Sequence, residues 1–176
     1  MKTLAEFIDA LNEKVGFLVS WLTTLLVLVV CYDVFTRYAL KQSSIAVQEL
    51  EWHLFAVIFL VGAAFTLKHD RHVRVDVLYI NFSEKTKAWI NFFGSLVFLI
   101  PFSILVIWSS KNYVVTSFLI KETSPDPGGL PGRFLVKACI PLGFILVLLQ
   151  GISLTIKSWL VARGKVSRNG GNAEHD

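Results

Sequence analysis

Cysteine is scarce in this chain of 176 residues, which contains only Cys31 and Cys139. Each cysteine lies inside an apolar run, whereas disulfide frameworks and zinc sites draw on cysteines that recur at defined spacings. The sequence therefore gives no sign of a disulfide framework or a zinc site. It predicts two buried free thiols.

Charged side chains are also few, at 17% of residues, while 54% are hydrophobic. Soluble domains carry about 25% charged residues. The low charged fraction of this chain and its mean hydropathy of +0.60 together indicate a polytopic membrane protein. The apolar residues are continuous and do not alternate with polar ones as in a membrane β-barrel. The net charge is +4, but the basic residues flank apolar runs, where they set membrane orientation. Nucleic acid is therefore not an expected partner.

The first residues lack the form of a cleaved signal peptide, because Glu6, Asp9 and Glu13 precede the apolar core and no small-residue cleavage site follows it. Apolar side chains recur at helical spacing over residues 1–15. This pattern predicts an amphipathic helix that lies on the membrane surface before the chain turns into the bilayer. Its apolar face would contain Leu4, Phe7, Ile8, Leu11 and Val15.

Four apolar runs approach the length of about 20 residues that a helix needs to cross a hydrocarbon core about 30 Å thick. They predict an all-α fold, an integral membrane bundle of four transmembrane helices in one domain, residues 1–163. The remaining residues, 164–176, are predicted to form a disordered cytoplasmic tail. The predicted helices cover residues 15–35, 50–67, 88–110 and 135–157.

The basic residues predict the orientation of this bundle. Eleven of the 17 Lys and Arg residues lie in the N-terminal segment, the central loop 68–87 and the C-terminal segment. The positive-inside rule therefore places both termini in the cytoplasm. Prolines and glycines in the connection 112–137 predict an ordered, non-helical crossing of the outer surface. Pro101 and Pro141 are expected to kink the third and fourth helices.

The middle of each apolar run is free of charge. Charged groups inside a membrane usually mark solute or proton pathways, so their absence indicates a subunit of a larger carrier. Asp33 and Arg37 lie four residues apart at the end of the first run. They can form an ion pair that ends the helix, or they can contact another chain.

Glu49, Glu51 and His53 suggest acid–base chemistry or a cation site, but residues two apart on a helix point to different faces. No nucleophile accompanies them, so we expect polar contacts where the chain enters the membrane, and no enzyme activity or metal site. Haem is a further possibility. His53 and His69 are 16 residues apart, about 24 Å along a helix, and cannot ligate one iron. No cofactor is predicted.

The order of several short motifs on four helices resembles the small membrane subunit, DctQ type, of tripartite ATP-independent periplasmic (TRAP) transporters. The motifs are Arg37-Tyr38, Glu49, Gly62-Ala63-Ala64, His72-Val73-Arg74-Val75-Asp76, Ser124-Pro125, Leu130-Pro131 and Ile140-Pro141-Leu142-Gly143-Phe144. The outer connection departs from the family pattern, because Asp126-Pro127-Gly128-Gly129 lengthens it.

The resemblance implies a non-catalytic scaffold in the bacterial inner membrane, part of a sodium-coupled, binding-protein-dependent importer of an organic acid anion. Its partners would be a large elevator-type membrane subunit, a periplasmic substrate-binding protein and membrane lipids. The residues predicted to contact partners are Asp33, Arg37, Glu49, Trp52, Gly62, His72, Arg74, Asp76, Asp126, Arg133 and Gly143. Among these, Glu49 and Arg74 are predicted polar anchors, while Asp126 and Arg133 are predicted to meet the binding protein.

An alternative function is the membrane anchor of a multi-subunit redox complex of cytochrome b type. Its haem would need ligands from another chain, because His53 and His69 are too far apart to share one iron and His69 and His72 are expected to be polar loop histidines. A Soret band in the absorbance spectrum of the purified complex would favour this alternative over the transporter.

Overall fold

The computed structural model describes residues 2–69 and 82–164. Within these residues the chain forms four long helices, which we number in chain order. They are α1 (Lys2–Ala39), α2 (Ile45–Lys68), α3 (Glu84–Leu119) and α4 (Arg133–Ala162). Each is long and apolar enough to cross a membrane. The prediction of an all-α, four-span membrane bundle is confirmed.

The helices extend beyond the predicted spans at both ends of all four. The sequence prediction ended the third span at residue 110, but α3 continues through Lys111 to Leu119. The reason is that the hydropathy pattern stops at the first charge, whereas backbone hydrogen bonds continue outside the hydrocarbon core. The second connection is therefore residues 120–132, shorter than the predicted 112–137. The predicted tail falls almost wholly outside the described residues.

Helix α4 is the centre of the bundle, because it packs against each of the other three helices. Helices α1 and α2 also pack against each other, whereas α3 makes its main contacts with α4. Between α2 and α4 lies a core of Ala64, Leu67 and Val147. We call the end that carries residues 40–44 and 120–132 the loop end, and the opposite end the termini end. Cys31 is exposed on α1 and Cys139 is only partly buried on α4, so the prediction of two buried thiols was wrong.

Small polar side chains allow α3 to approach α4 closely. Ser103, Ser110 and Ser117 recur every seven residues along α3, and all three are buried. Small residues at such spacing let two membrane helices pack with their backbones close together. At the termini end, a hydrogen bond of 2.9 Å joins Ser95 Oγ to Thr155 Oγ1 of α4. One face of α3 is therefore fixed on α4 along the length of the seam.

Helix α3 is not α-helical throughout, because residues Ser95–Leu99 form a π-helical turn. Pro101 follows directly, in the first turn of the α-helical segment Ile100–Leu119. A proline lacks the N–H that an α-helix interior requires, and a wider turn before it accommodates that loss. The irregularity predicted near Pro101 therefore takes the form of a π turn. Pro141 lies inside α4, which remains helical on both sides of it.

The first residues differ most from the sequence prediction. Residues 1–15 were expected to lie on the membrane surface, but α1 is one continuous helix from Lys2 to Ala39. Its inward face is also different, because Leu4 and Phe7 are exposed while Asn12 is 1% exposed. Asn12 Nδ2 donates to Gln150 Oε1 of α4 at 2.7 Å. A polar residue that the sequence pattern assigned to water is instead buried inside the bundle, where its Nδ2 is bonded to α4 and its Oδ1 has no partner among the described residues.

The contact between Asn12 and Gln150 is part of a polar network between α1 and α4. Asp9 Oδ1 accepts hydrogen bonds from Gln150 Nε2 at 3.0 Å and from Ser153 Oγ at 2.8 Å. Lys157 forms an ion pair with Asp9 at the edge of the network. Together these contacts hold the N-terminal half of α1 against α4 at the termini end.

We expect a double-mutant cycle to detect this network. Asn12→Leu should destabilise the bundle by about 1–3 kcal/mol, because it leaves the buried Gln150 acceptor without a donor. Gln150→Leu should also destabilise the bundle, because it leaves the buried Asn12 donor without an acceptor. The double variant should lose less than the sum of the two. The measurement is unfolding by denaturant in detergent, and strictly additive losses would contradict a direct bond.

Candidate functional site

A buried carboxylate at the loop end links helix α2 to the second connection. The Glu49 side chain is 6% exposed. Its Oε1 accepts hydrogen bonds from Ser124 Oγ at 2.5 Å and from the Arg133 guanidinium at 3.0 Å. Its Oε2 accepts the backbone N–H of Leu130 at 2.6 Å. We call this group of four residues the Glu49 clamp.

The connection that closes over Glu49 has a defined backbone. Ser124 N–H donates to Leu130 O at 3.2 Å, and Arg133 N–H donates to Glu122 O at 3.1 Å. A Cβ atom at Gly129 would lie 2.8 Å from Glu49 Oε2, closer than real Cβ contacts allow. Glycine at position 129 therefore lets the connection reach the carboxylate. The prediction of an ordered, non-helical connection holds for residues 120–132.

A second ion pair fastens the same connection to α4. Glu122 pairs with Lys137, and the Lys137 ammonium lies 4.1 Å from the centre of the Tyr113 ring of α3. The hydrogen bond from Lys137 is the main reason that the pKa of the Glu122 carboxyl is lowered. Glu122 is therefore negatively charged at neutral pH, and the connection is held at both of its ends.

Two of the predicted partner residues lie beside the Glu49 clamp at the surface. The Arg133 guanidinium lies 5.8 Å from the Trp52 ring, and Trp52 is exposed. Asp126 is exposed on the connection, and its N–H donates to Ser124 Oγ at 3.1 Å. The fold thus brings Glu49, Trp52, Asp126 and Arg133 into one region of the loop end.

The other predicted residues lie elsewhere. Asp33 and Arg37 form an ion pair within α1, in which the Asp33 side chain is 3% exposed and that of Arg37 is 44% exposed. Gly143 packs against Leu60 of α2, and Gly62 faces Val19 of α1, so both glycines serve contacts within the bundle. The remaining three, His72, Arg74 and Asp76, lie outside the described residues.

The described histidines make local contacts at opposite ends of α2. His53 Nδ1 lies 2.5 Å from the backbone oxygen of Glu49. His69 Nε2 lies 3.0 Å from Glu13 Oε2. Within residues 2–69 and 82–164, no group of three or more His, Cys, Asp or Glu side chains is placed to hold a metal ion.

The chemistry of the Glu49 clamp is that of a structural attachment, because both oxygens of its carboxylate accept hydrogen bonds.

Sequence comparison places the chain in a family. The DctQ component family of tripartite ATP-independent periplasmic transporters matches residues 26–161. A similar protein is the C4-dicarboxylate TRAP transporter small permease protein DctQ of Vibrio cholerae. It is 26% identical over 196 residues, which cover 98% of this chain and 81% of that protein. Since the family match includes most of the chain and reaches all four helices, this protein belongs to the DctQ family of TRAP transporter small membrane subunits.

Proposed function

We propose that this chain is the stationary scaffold of a sodium-coupled importer of an organic acid anion. Membership of the DctQ family makes it a transporter component and not an enzyme, and a multi-pass protein of the bacterial inner membrane. The large membrane subunit would carry the substrate and sodium sites and move between two positions. This chain would hold that subunit in place without binding the substrate.

The distribution of charge is the observation that carries the scaffold role. The Glu49 clamp and the Glu122–Lys137 pair lie at the loop end, and the Asp9 network lies at the termini end. Between them, the helices contain no Asp, Glu, Lys or Arg over residues 15–32, 53–67, 88–110 and 138–156. An organic anion crossing the bilayer needs polar or cationic partners at mid-depth. The four runs contain no charged residue that could pair with such an anion, which supports a scaffold role.

The distribution of Lys and Arg residues supports an orientation of the bundle in the membrane. Eleven of the 17 Lys and Arg residues belong to the N-terminal segment, the central loop 68–87 and the C-terminal segment, so we assign the termini end to the cytoplasm. The loop end then faces the periplasm. Asp126 and Arg133, at the clamped connection, are the proposed contacts for the periplasmic binding protein. Trp52 and Arg37, which are exposed near the same end, are proposed contacts for the large subunit.

The family and the relative support the proposed substrate class. The Vibrio cholerae protein is named for C4-dicarboxylates, which are organic acid anions. The residues of this chain do not select among such anions, because they would not touch the substrate. Selection is assigned to the large subunit and the binding protein.

Transport assays in vesicles test the coupling. The complex of this chain with its large subunit is reconstituted, its binding protein is added, and uptake of radiolabelled succinate and of other organic acids is followed. We expect uptake of at least one of these anions only with an inward sodium gradient and with the binding protein present. Equal uptake with potassium in place of sodium would contradict sodium coupling. Equal uptake without the binding protein would contradict the tripartite arrangement.

A further inference from the structure

A groove between α3 and α4 opens toward the membrane in the half of the bundle nearest the loop end. It has a volume of about 720 Å³ and is mainly apolar. Ile104, Trp108 and Val115 line it on α3, and Pro141 and Leu148 line it on α4. Trp108 is 82% exposed. The groove remains open because α3 packs mainly on α4, and no other helix of residues 2–69 and 82–164 packs extensively on its other face.

The Lys111 side chain places a positive charge at the edge of this groove. Lys111 belongs to the groove lining and is exposed, and it forms no ion pair or hydrogen bond with the part of the chain that the structure describes. It follows directly after the uncharged run 88–110, so it lies where the hydrocarbon core gives way to the headgroups. Ile104 is seven residues deeper, about 10 Å along the helix. The groove therefore offers an apolar wall below a cation at headgroup level.

We propose that this groove binds one anionic phospholipid, with an acyl chain along Ile104, Trp108 and Leu148 and the phosphate on Lys111. The apolar wall matches an acyl chain, and the unpaired ammonium of Lys111 matches a phosphate. In a membrane the phosphate lies at headgroup level and the acyl chain lies below it, which is how Lys111 and the apolar wall are arranged. Free phosphate would leave the apolar part empty. An apolar helix of another protein would fill the wall but would leave Lys111 without its counter-charge.

This site would also have a structural consequence. An acyl chain lying in the groove would contact α3 and α4 together and would cover part of the face of α3 that the described helices leave open. Because lateral packing in membranes rests on van der Waals contact, such a lipid would reinforce the attachment of α3 to α4.

Native mass spectrometry of the purified complex, with dioleoyl phosphatidylglycerol added, tests the headgroup contact. Lys111→Ala should lower lipid retention about fivefold, since one Lys near an anionic headgroup contributes about 1 kcal/mol and 1.4 kcal/mol is a factor of ten. The control is Lys121→Ala, which removes another exposed lysine at the loop end. Dioleoylglycerol, which has the same chains without phosphate, should be retained equally by both variants.

A second pair of variants tests the apolar wall. Ile104→Trp should displace the lipid by filling the groove, and Leu105→Trp should not, because Leu105 is exposed on α3 outside the groove. Both positions are at the surface, so both variants are expected to fold. Equal lipid retention by the unsubstituted chain, Lys111→Ala and Ile104→Trp would overturn the proposal.

Photo-crosslinking separates the lipid from a protein occupant. Benzoylphenylalanine in place of Ile104 should yield an adduct with the phospholipid in the intact complex. Cross-linking to the large subunit, or no lipid adduct, would overturn the proposal. These outcomes do not depend on transport, so they leave the scaffold role to its own test.

Discussion

Gly143→Leu is expected to disrupt the packing of α2 against α4 and to lower the thermal stability of the bundle clearly. A Cβ atom at position 143 would overlap the backbone oxygen of Leu60 and lie 2.8 Å from its carbonyl carbon. These are backbone atoms of a helix, so they cannot rotate away as a side chain can. Overpacking in a close-packed interior typically costs about 1–3 kcal/mol, and leucine adds three further carbons beyond the Cβ.

The matched control for this substitution is Gly94→Leu. Gly94 is also a helical glycine, but a Cβ atom there would meet nothing within 4 Å. Thermal unfolding in detergent, followed by the fraction of monodisperse protein, compares the two variants. We expect a clear loss of thermal stability for Gly143→Leu and almost none for Gly94→Leu. Similar losses in both would show that the contact with Leu60 is not what restricts position 143.

The second large effect is expected for Glu49→Gln, which should release the connection 120–132 from the end of α2. Glutamine keeps the shape of the side chain, but it removes the charge that pairs with Arg133 and offers only one acceptor oxygen. Ser124 Oγ and the Leu130 N–H both need acceptors on that side chain. Hydrogen bonds to a charged group are the stronger kind, so the connection should open more often.

Limited trypsin digestion measures this opening, because Lys121 lies in the connection. Cleavage after Lys121 should be about tenfold faster in Glu49→Gln, as expected if the loss of charged hydrogen bonds raises the open population by that factor. Glu51→Gln is the control, since Glu51 lies one half-turn further along α2 and its side chain forms no hydrogen bond or ion pair with the described residues of the connection. Unchanged cleavage in Glu49→Gln would contradict the Glu49 clamp.

The helices could be predicted from the sequence because hydropathy is a local property of the chain. Their ends could not, since α3 continues past Lys111 on backbone hydrogen bonds that carry no hydropathy signal. The inward face of α1 was predicted wrongly for a related reason. An amphipathic pattern shows which residues prefer apolar surroundings, but Asn12 is buried because Gln150 of α4 supplies its partner. That partner is 138 residues away, so no local pattern indicates it.

The candidate site was predictable to the extent that its signals were local. The pairing of Asp33 with Arg37 follows from a spacing of four residues on one helix. Glu49 was noticed as a carboxylate at the start of a membrane helix, and the prolines and glycines indicated an ordered connection. The partners of Glu49 were not predictable, because Ser124 and Arg133 lie 75 and 84 residues further along the chain. The Glu122–Lys137 pair was missed because its 15-residue spacing belongs to a turn and not to a helix.

The scaffold role is tested most directly by reconstituting the large subunit with and without this chain and measuring sodium-driven uptake in the presence of the binding protein. The amount of folded large subunit in the vesicles is matched by gel filtration before reconstitution. The scaffold role predicts that uptake is lost without this chain and returns when the purified chain is added back. Undiminished uptake by the large subunit and the binding protein alone would contradict it.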